Sequence, residues 1–461
     1  MNILLSEKCT NYCRYCFAQE RMRSSVNNFI SIDSFKYILD FLHKSKVDHV
    51  NLIGGEPLIH PNIIEILKIL NDDYKIKTVS IFSGGILPQP KIFEIAKWLL
   101  PEKYNFIFNL NNREGYKNNH YNIIVNNIKC LRSSGLDVTI SYNIYKELFN
   151  YIEIFEVCNY LGINKIRWSL AYPGIRKDTE YIHPVHYPKV RNRVYQFIMD
   201  SYNKGYELTL DCQIPLCFFT KKQMSKILFI YPQFYQRLGK CSPAIDVGTN
   251  LEVWRCFALY DDIKANLGDF NNVKEIYKFF KTKTDSHLYT EVPEYCTNCE
   301  YWKDRICQGG CLSFNIDLIN KSRQRRNEYE KLIDSHRNAD LMSIREPLLW
   351  WLSDCIEDAD ALLRILYFIL KKGDYDLIEE FYDNNKLRLH RLRNPVILYL
   401  IAIAFINKKD KKKALAVISE GLRLSQGSNL RQKFMEFLRL TRNELESFEI
   451  SPFTFNQVSG I

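Results

Sequence analysis

The sequence contains no apolar run long enough to cross a bilayer, which takes about 20 consecutive residues, so no membrane segment is expected. Its first residues, MNILLSEK, have too short an apolar stretch before a charged pair to form a secretory signal, and we therefore expect a cytoplasmic protein. Thiols stay reduced there, so the 14 cysteines are predicted to be metal ligands or core residues and not disulfides. The net charge of +10 is spread along the whole chain, which predicts a solvated surface and no nucleic-acid site.

Apolar strand-like and helix-like segments alternate over the first part of the chain. The predicted strands are NILL, HVNLIG, KTVSIF, NFIFNL, DVTISYNI and KIRWSL, with helical spacing in the segments between them. This alternation predicts an α/β fold with a parallel sheet and crossover helices, curled into a partial (β/α)6 barrel. Loops at the C-terminal ends of the strands should then carry the functional residues.

Three cysteines, Cys9, Cys13 and Cys16, lie in the loop CTNYCRYC between the first predicted strand and the first predicted helix. A structural zinc site usually has four protein ligands, whereas three thiolates on a four-iron cluster leave one iron open to a further ligand. A structural loop, or half of a zinc site completed elsewhere, is the alternative interpretation of this spacing. The context favours the open cluster, because an aromatic residue precedes the third cysteine and GGEP follows the second predicted strand.

The combination of CTNYCRYCFA and GGEP resembles the radical S-adenosylmethionine (SAM) enzymes, and the resemblance covers about residues 1–170. It implies a partial (β/α)6 barrel whose three-cysteine loop holds a [4Fe–4S] cluster, with SAM bound at the open iron. Reductive cleavage of SAM then produces a 5′-deoxyadenosyl radical, which abstracts a hydrogen atom from the substrate. The resemblance also implies an electron donor, such as a flavodoxin or a ferredoxin.

Several positions of the family's cofactor site can be carried over to this chain. Gly54, Gly55 and Glu56 match the GGE motif. The glycines would let the backbone approach the methionine part of SAM, and the acid would accept a hydrogen bond from its amino group. Tyr15 matches an aromatic position that lies near the adenine.

Polar residues at the ends of later strands extend the predicted cofactor site. Ser83 follows the third predicted strand, in place of the Thr-Asn-Gly type of motif. Asn109 lies at the end of the fourth strand, at a position where many members have Asp and where the side chain contacts the ribose or the methionine. Asn143 is a candidate of the same kind after the fifth strand, with a polar residue at the edge of the core as the alternative. No catalytic residue is assigned.

A second group of cysteines lies farther along the chain. Its members are Cys241, Cys256 and, in the block YCTNCEYWKDRICQGGC, Cys296, Cys299, Cys307 and Cys311. By spacing alone, a zinc ribbon with four cysteine ligands is one interpretation. The region also resembles the SPASM extension of radical SAM enzymes, which holds one or two auxiliary [4Fe–4S] clusters.

The SPASM resemblance implies a ligand set for each auxiliary cluster. The first set is Cys241, Cys256 and Cys311 with an earlier cysteine, Cys217 or Cys212, and the second is Cys296, Cys299 and Cys307. The last cysteine of the family pattern is missing, so a single auxiliary cluster is an open alternative. Phe257 stands where sulfatase-maturing members have Asp, which argues against sulfatase maturation.

From about residue 335 onward, Pro and Gly become rare and helical periodicity dominates. ADALLRILYFILKKGDYDLIEEFYD and ILYLIAIAFINKKDKKKALAVISEGL share a layout, with Asp374 and Asp410 in corresponding turns. The layout predicts two TPR-like helical hairpins, which stack into peptide-binding surfaces, although a plain helical bundle is an equal alternative. We thus predict a radical SAM barrel over residues 1–210, a SPASM-type domain over 211–330 and an all-α domain over 331–461.

These features predict a radical SAM/SPASM enzyme that modifies a ribosomally made peptide, by a thioether, a carbon–carbon crosslink or epimerisation. SPASM blocks most often accompany peptidyl substrates, and the helical domain would hold a precursor peptide or another protein. A SPASM-type enzyme acting on a sugar or other small molecule is the alternative. A non-catalytic, metal-stabilised binding protein is the third hypothesis. The substrate, the bond formed, the number of auxiliary clusters and the oligomeric state do not follow from the sequence.

Overall fold

The computed structural model describes residues 1–19, 21–24, 29–117, 119–174, 179–289, 299–317, 358–425 and 429–443, with isolated positions between 292 and 356. The chain divides into two compact units. One consists of Met1–Val292 and Asp304–Asp317, and the other of Pro293–Lys303 and Leu318–Ile461. The predicted domain boundary near residue 330 lies outside the described residues.

A sheet of ten strands forms the centre of the first unit, in the order β10-β9-β8-β1-β2-β3-β4-β5-β6-β7. The strands are β1 (Asn2–Ser6), β2 (His49–Gly54), β3 (Thr78–Ser83), β4 (Tyr104–Asn109), β5 (Asp137–Ile144), β6 (Lys165–Leu170), β7 (Glu207–Leu210), β8 (Ile245–Val247), β9 (Glu252–Arg255) and β10 (Lys264–Asn266). Strands β1 to β7 are parallel in chain order, which confirms the six predicted strands. The sheet stays open, because β8 pairs in parallel with β1 and continues into the antiparallel strands β9 and β10.

Strand β7 is an element that the sequence pattern does not predict. Only Leu208 and Leu210 are buried, while the two residues that alternate with them face solvent. Such a short alternation is typical of an edge strand with one solvent-exposed face. Four residues are too few for a clear hydrophobic periodicity in the sequence. Its C-terminal end matters for the site, because Asp211 and Cys212 follow directly.

Helices cover the parallel sheet at the crossovers. Those of the first unit are α1 (Arg21–Ser24), α2 (Ile32–Lys44), α3 (Ile63–Asp72), α4 (Gln89–Ala96), α5 (His120–Ser133), α6 (Tyr151–Leu161), α7 (Tyr187–Asn203), α8 (Lys221–Ile230) and α9 (Val273–Lys283). Helix α2 shows how the sequence sets the bounds: the Ser31 hydroxyl accepts a hydrogen bond from the Ser34 amide at 3.0 Å and caps the start. Its apolar face, with Phe35, Ile38 and Leu42, is fully buried.

The second unit is helical in its described part. Its helices are α10 (Glu300–Lys303), α11 (Ala359–Lys372), α12 (Tyr375–Leu392), α13 (Pro395–Asn407), α14 (Lys411–Leu424) and α15 (Asn429–Asn443). Asp374 caps α12 and Asp410 caps α14, each accepting from the amide three residues on, so the two aspartates do occupy corresponding turns. Helix α13 is apolar on all sides and lies in the core of this unit.

The predicted fold class is confirmed as α/β with a parallel, barrel-like sheet and a helical C-terminal part. Among the residues that the structure describes, no helix is both long and apolar enough to cross a membrane.

Candidate functional site

The three cysteines of the first loop lie together at the C-terminal end of β1. The Cys16 amide donates to the Cys13 carbonyl at 3.0 Å, which closes a tight turn, and the Asn11 amide points at the Cys9 sulfur at 3.4 Å. The pKa of Cys9 and of Cys13 is raised to about 12, mainly by burial and in smaller part by negative charge on Cys16. Buried neighbouring thiols ionise when a metal centre supplies positive charge. The three cysteines are therefore a donor set that fits an iron–sulfur cluster.

Backbone contacts from the GGE motif hold this loop in place. The Gly55 amide donates to the Ser6 carbonyl and the Glu56 amide donates to the Lys8 carbonyl, both at 2.8 Å. A Cβ at Gly54 would lie 2.2 Å from the Ser6 oxygen, where φ is also +148°, and a Cβ at Gly55 would lie 2.2 Å from the Lys8 oxygen. In addition to the predicted approach to SAM, which stays a prediction, these glycines make room for the chain's own cysteine loop.

Glu56 is fully buried at the end of β2. Its carboxylate accepts from the Ser83 hydroxyl at 2.9 Å, from the Gly84 amide at 2.8 Å and from the Leu58 amide at 3.2 Å. Burial raises the pKa of Glu56 to about 7, and these hydrogen bonds act in the opposite direction. Ser83, which the sequence analysis predicts to contact the cofactor, thus donates a hydrogen bond directly to the Glu56 carboxylate.

The predicted polar residues of β4 and β5 meet the cysteine loop in one hydrogen-bonded network. The Asn109 side-chain amide donates to the Tyr15 hydroxyl at 2.6 Å and lies 3.8 Å from the Cys13 sulfur. The Asn143 amide donates to the Asn109 side-chain oxygen at 2.6 Å, and the Ser169 hydroxyl donates to the Asn143 oxygen at 2.8 Å. The network therefore runs along the ends of β4, β5 and β6 and reaches a cysteine.

Asn111 is a member of this network that the sequence analysis does not select. Its side-chain amide donates to the Tyr15 hydroxyl at 2.6 Å, and its side-chain oxygen accepts from the Asn143 backbone amide at 3.0 Å. The spacing in FNLNN could have predicted it. Residues 109 and 111 are two apart, and in an extended chain such side chains lie on the same side.

Three cysteines of the second group, Cys241, Cys256 and Cys311, come together in the first unit with the earlier cysteine Cys212. Burial raises the pKa of each thiol. The thiols are close enough to act on each other, because Cys256 and Cys311 raise the pKa of Cys212 and Cys311 raises that of Cys241. Cys212 has an exposed side chain, and its thiol donates to the Asp211 carboxylate at 3.8 Å.

The backbone around these cysteines contains a strained residue and is held by hydrogen bonds between loops. Cys256 has a φ of +61°, which a residue with a side chain adopts with strain of about 1–3 kcal/mol, and such strain concentrates at functional sites. The Gln308 amide donates to the Gly239 carbonyl at 2.8 Å, and the Gln213 side chain donates to the Gly310 carbonyl, which ties the separate loops together. Apolar residues Leu259, Leu288 and Leu312 cluster beside this site.

The remaining predicted ligands are Cys217, Cys296, Cys299 and Cys307. Cys217 is an exposed residue beside Tyr187, which also lies near Cys311, and the Cys217 carbonyl accepts from Arg191 at 3.2 Å. Cys307 is buried in the first unit, whereas Cys296 and Cys299 belong to the second. Within the described residues, no three His, Cys, Asp or Glu side chains converge tightly enough to hold a single metal ion.

The cysteine loop of β1 also packs against the region of β9. Phe17 and Phe257, which directly follow the last cysteine of the loop and the cysteine after β9, have ring centroids 5.9 Å apart. The buried Arg21 guanidinium pairs with Glu7 and, at 3.2 Å, with Glu252. Two candidate sulfur sites are thus joined by direct side-chain contact within one unit.

Comparison with known proteins agrees with this geometry. Residues 3–160 match the sequence profile of the Radical SAM superfamily. These residues are a radical SAM domain. A radical SAM domain binds a [4Fe–4S] cluster and SAM, so these are the cofactors of the chain.

Relatives match over limited stretches of the chain. The chain is 30% identical over 94 residues to the S-adenosylmethionine-dependent nucleotide dehydratase of Selenomonas ruminantium, covering 20% of this chain and 32% of the relative. It is 22% identical over 173 residues to the GTP 3′,8-cyclase of Synechocystis sp., covering 37% and 51%. The chain therefore spans about half or less of the length of these curated relatives.

One solved structure resembles the fold of this chain. Native anSMEcpe with bound AdoMet has a TM-score of 0.51 and 15% sequence identity, covering 74% of this chain and 100% of that chain. At this identity the likeness shows a shared fold.

Proposed function

We propose that this radical SAM enzyme is of the SPASM type and modifies a ribosomally made peptide. The observation that carries the proposal is the grouping of Cys212, Cys241, Cys256 and Cys311 beside the radical SAM domain. Four thiols from separate loops, with a strained backbone at one of them, form a donor set suited to an auxiliary [4Fe–4S] cluster. Auxiliary clusters of this kind accompany peptidyl substrates in the family that the sequence resembles.

The proposed roles at the radical site follow from the contacts of the chain's own residues. Cys9, Cys13 and Cys16 would hold the radical cluster, and SAM, when bound, would supply a 5′-deoxyadenosyl radical for hydrogen abstraction from the substrate. Gly55 and Glu56 hold the cysteine loop through their backbone amides. The Glu56 carboxylate, kept in place by Ser83, Gly84 and Leu58, would accept from a cationic amino group in a site closed to water.

We further propose Cys212 as the fourth ligand of the first auxiliary cluster, in place of Cys217. Changing Cys212 to serine should remove about four iron atoms per chain, because the auxiliary cluster would lose one of its four proposed thiolate ligands. Cys217→Ser is a matched control, since this residue is also exposed and follows β7 closely. Iron and sulfide analysis of both variants checks the assignment, and iron loss in Cys217→Ser with none in Cys212→Ser would reverse it.

The second set, Cys296, Cys299 and Cys307, stays a prediction for a second auxiliary cluster, with the single-cluster alternative open. The flavodoxin or ferredoxin donor and the cytoplasmic location also remain predictions.

A small-molecule substrate is the second candidate function. The observation that favours it is the pair of relatives described above, whose names refer to a nucleotide dehydratase and a GTP cyclase. Their matches extend over at most about half of either relative, so they do not carry the whole activity of those proteins to this chain.

Deuterium transfer distinguishes these two functions. Reduced, anaerobically reconstituted enzyme is given SAM and a perdeuterated precursor peptide encoded beside its gene, and 5′-deoxyadenosine is analysed by mass spectrometry. We expect deuterium in the 5′-deoxyadenosine and a matching mass change in the peptide. Deuterated GTP and other nucleotides are the parallel samples. Transfer from a nucleotide, with none from the peptide, would replace the proposed substrate class by the second candidate.

We also propose that the helices from about residue 335 onward hold the precursor peptide or another protein partner. The support is the repeated helical hairpin with an Asp cap in each turn. The same deuterium assay on a soluble, iron-loaded chain truncated before residue 335 should show a raised KM for the peptide and unchanged SAM cleavage without it. An unchanged KM would remove the docking role.

A further inference from the structure

The two faces of the parallel strands β2 to β7 differ in composition and in burial. One face is apolar and fully buried, as Leu52, Ile81, Phe106, Ile140 and Trp168 show. The residues that alternate with these are mostly polar, and the strand register places them side by side. We call this second surface the polar face; it includes Phe82, Asn109, Ser141, Asn143, Arg167 and Ser169, of which all but the two serines are half-buried.

A contact of Arg167 shows that the polar face is concave. Its guanidinium lies over the Phe82 ring, 5.1 Å from the ring centroid. Arg167 belongs to β6 and Phe82 to β3, with β4 and β5 between them. In a flat sheet these two strands would be about 14 Å apart, because neighbouring strands are separated by about 4.8 Å. The sheet therefore curves around the polar face, so that side chains from β3 and β6 meet across its inner side.

Arg167 has two further partners on this concave side. Its guanidinium forms an ion pair with Asp211 and donates to the Ser141 hydroxyl at 3.2 Å. Asp211 directly follows β7, and its backbone amide donates to the Trp168 carbonyl at 2.9 Å, which holds the carboxylate at the end of the strand. The side chains of Arg167 and Asp211 are still 24% and 30% exposed, so a ligand can reach both.

This ion pair lies between the two candidate cofactor sites. Ser169 follows Arg167 by two residues on the same face, and its hydroxyl lies 2.8 Å from the Asn143 side-chain oxygen, in the network predicted to contact SAM. In the other direction, the Asp211 carboxylate lies 3.8 Å from the sulfur of Cys212, the proposed auxiliary ligand. A group bound by the pair would therefore share the concave face with the source of the radical.

The charges of the polar face indicate which kind of group would bind. On β2 to β7 this face carries two Lys or Arg residues, Lys165 and Arg167, and each is paired with a carboxylate: Lys165 with Asp137 at 2.7 Å, and Arg167 with Asp211. Phosphate groups are bound through positive charge, which a pair of zero net charge does not offer.

A main-chain amide is the better match to this pair. A guanidinium has five N–H donors, of which the contacts with Asp211 and Ser141 use two, and a carboxylate accepts several hydrogen bonds. The pair thus presents a donor beside an acceptor. Every peptide unit not followed by proline offers the complement, a carbonyl that accepts and an N–H that donates.

We propose that Arg167 and Asp211 bind a main-chain amide of the peptide substrate, with Arg167 donating to its carbonyl oxygen and Asp211 accepting from its N–H. This contact places the residue to be modified on the concave face, within reach of the radical. The inference rests on the proposed peptide substrate and names the residues that recognise it.

The first experiment removes both charges together, so that neither is left unpaired. Reconstituted holoenzyme with Arg167→Met and Asp211→Asn is assayed with SAM and the perdeuterated precursor peptide. We expect the KM for the peptide to rise by about 10- to 100-fold, the effect of losing a charge-assisted hydrogen bond. A smaller fraction of the 5′-deoxyadenosine should carry deuterium, because an unplaced substrate does not meet the radical. A merely structural role would not lower this fraction in protein with full iron content.

The chain offers a matched control. Lys165→Met with Asp137→Asn removes an ion pair from the same strand and face, two residues earlier. This control should leave both the KM and the deuterated fraction unchanged. If the Arg167 and Asp211 variant does not keep its iron, Arg167→Lys replaces it, since lysine keeps the charge and loses the planar fork of donors. A raised KM is expected there too, and an unchanged KM would overturn the proposal.

An ester in the peptide tests which atoms bind. The amides on either side of the deuterium-losing residue are replaced in turn by esters, which keep the carbonyl and lack the N–H. We expect one of the two esters to raise the KM of the wild-type enzyme, and to raise it less in the variant with Arg167→Met and Asp211→Asn. The same rise in both proteins would contradict the contact with Asp211.

The outcomes separate this inference from the proposed function. Deuterium transfer from the peptide, with an unchanged KM in the Arg167 and Asp211 variant, would overturn the inference alone. Transfer from a nucleotide and none from the peptide in the wild-type enzyme would overturn the proposed function, and the amide would then no longer be the ligand of this pair.

Discussion

Replacing Cys9, Cys13 and Cys16 together by alanine will abolish the cleavage of SAM to 5′-deoxyadenosine and methionine. The three thiols lie in one turn at the end of β1, and no cluster can be held there without thiolate ligands. Chromatography of the nucleoside product under reducing, anaerobic conditions measures the effect. We expect a fall to the uncatalysed background and the loss of about four iron atoms per chain.

The same variant also tests the auxiliary site, because its four cysteines are untouched. Iron and sulfide should remain at the level of the auxiliary cluster, whereas zinc without sulfide would support the ribbon interpretation of the second cysteine group. Cys130→Ala with Cys158→Ala is a suitable control, since these thiols lie in α5 and α6 and should affect packing alone. Continued formation of 5′-deoxyadenosine by the triple variant would rule out the proposed ligands.

Gly55→Ala will have nearly as large an effect, although Gly55 is not a proposed ligand. The added Cβ would lie 2.2 Å from the Lys8 oxygen and 2.9 Å from the Cys9 Cβ. The nearest atom is backbone, held by the Glu56 amide, so no side-chain rotation can relieve the clash. The end of β2 and the cysteine loop must separate, at a cost of about 1–3 kcal/mol or more. We expect the radical cluster to be lost or poorly assembled, as measured by iron content and by SAM cleavage.

Gly162→Ala provides the comparison. Gly162 ends α6 with a φ of +62°, and a Cβ there would meet no atom within 4 Å. The Gly162→Ala substitution should lower the free energy of unfolding only by the left-handed backbone penalty of about 1–2 kcal/mol. Iron content and SAM cleavage should stay unchanged. Full iron loading and activity in Gly55→Ala would show that the close approach of the two loops is not needed.

The sequence by itself determined the main elements of the radical SAM domain. All six predicted strands are present, and Asp374 and Asp410 cap corresponding helices, because periodicity and capping are local properties of a short stretch of chain. The first cysteine loop was also accessible from sequence, since its three thiols lie within eight consecutive residues. Edge strand β7 was not, because its stability depends on pairing with β6 and not on its own pattern.

The tertiary structure decided which distant residues meet. It groups Cys212 with cysteines that lie far along the chain, and no spacing rule distinguishes Cys212 from Cys217. It brings Asn111 to Tyr15 through the register of β4 with β5, and it fills the space beside Gly55 with the cysteine loop. These outcomes depend on contacts between strand ends that are remote in sequence. Local propensity carries no information about such contacts, because their geometry exists only once the parallel sheet has formed.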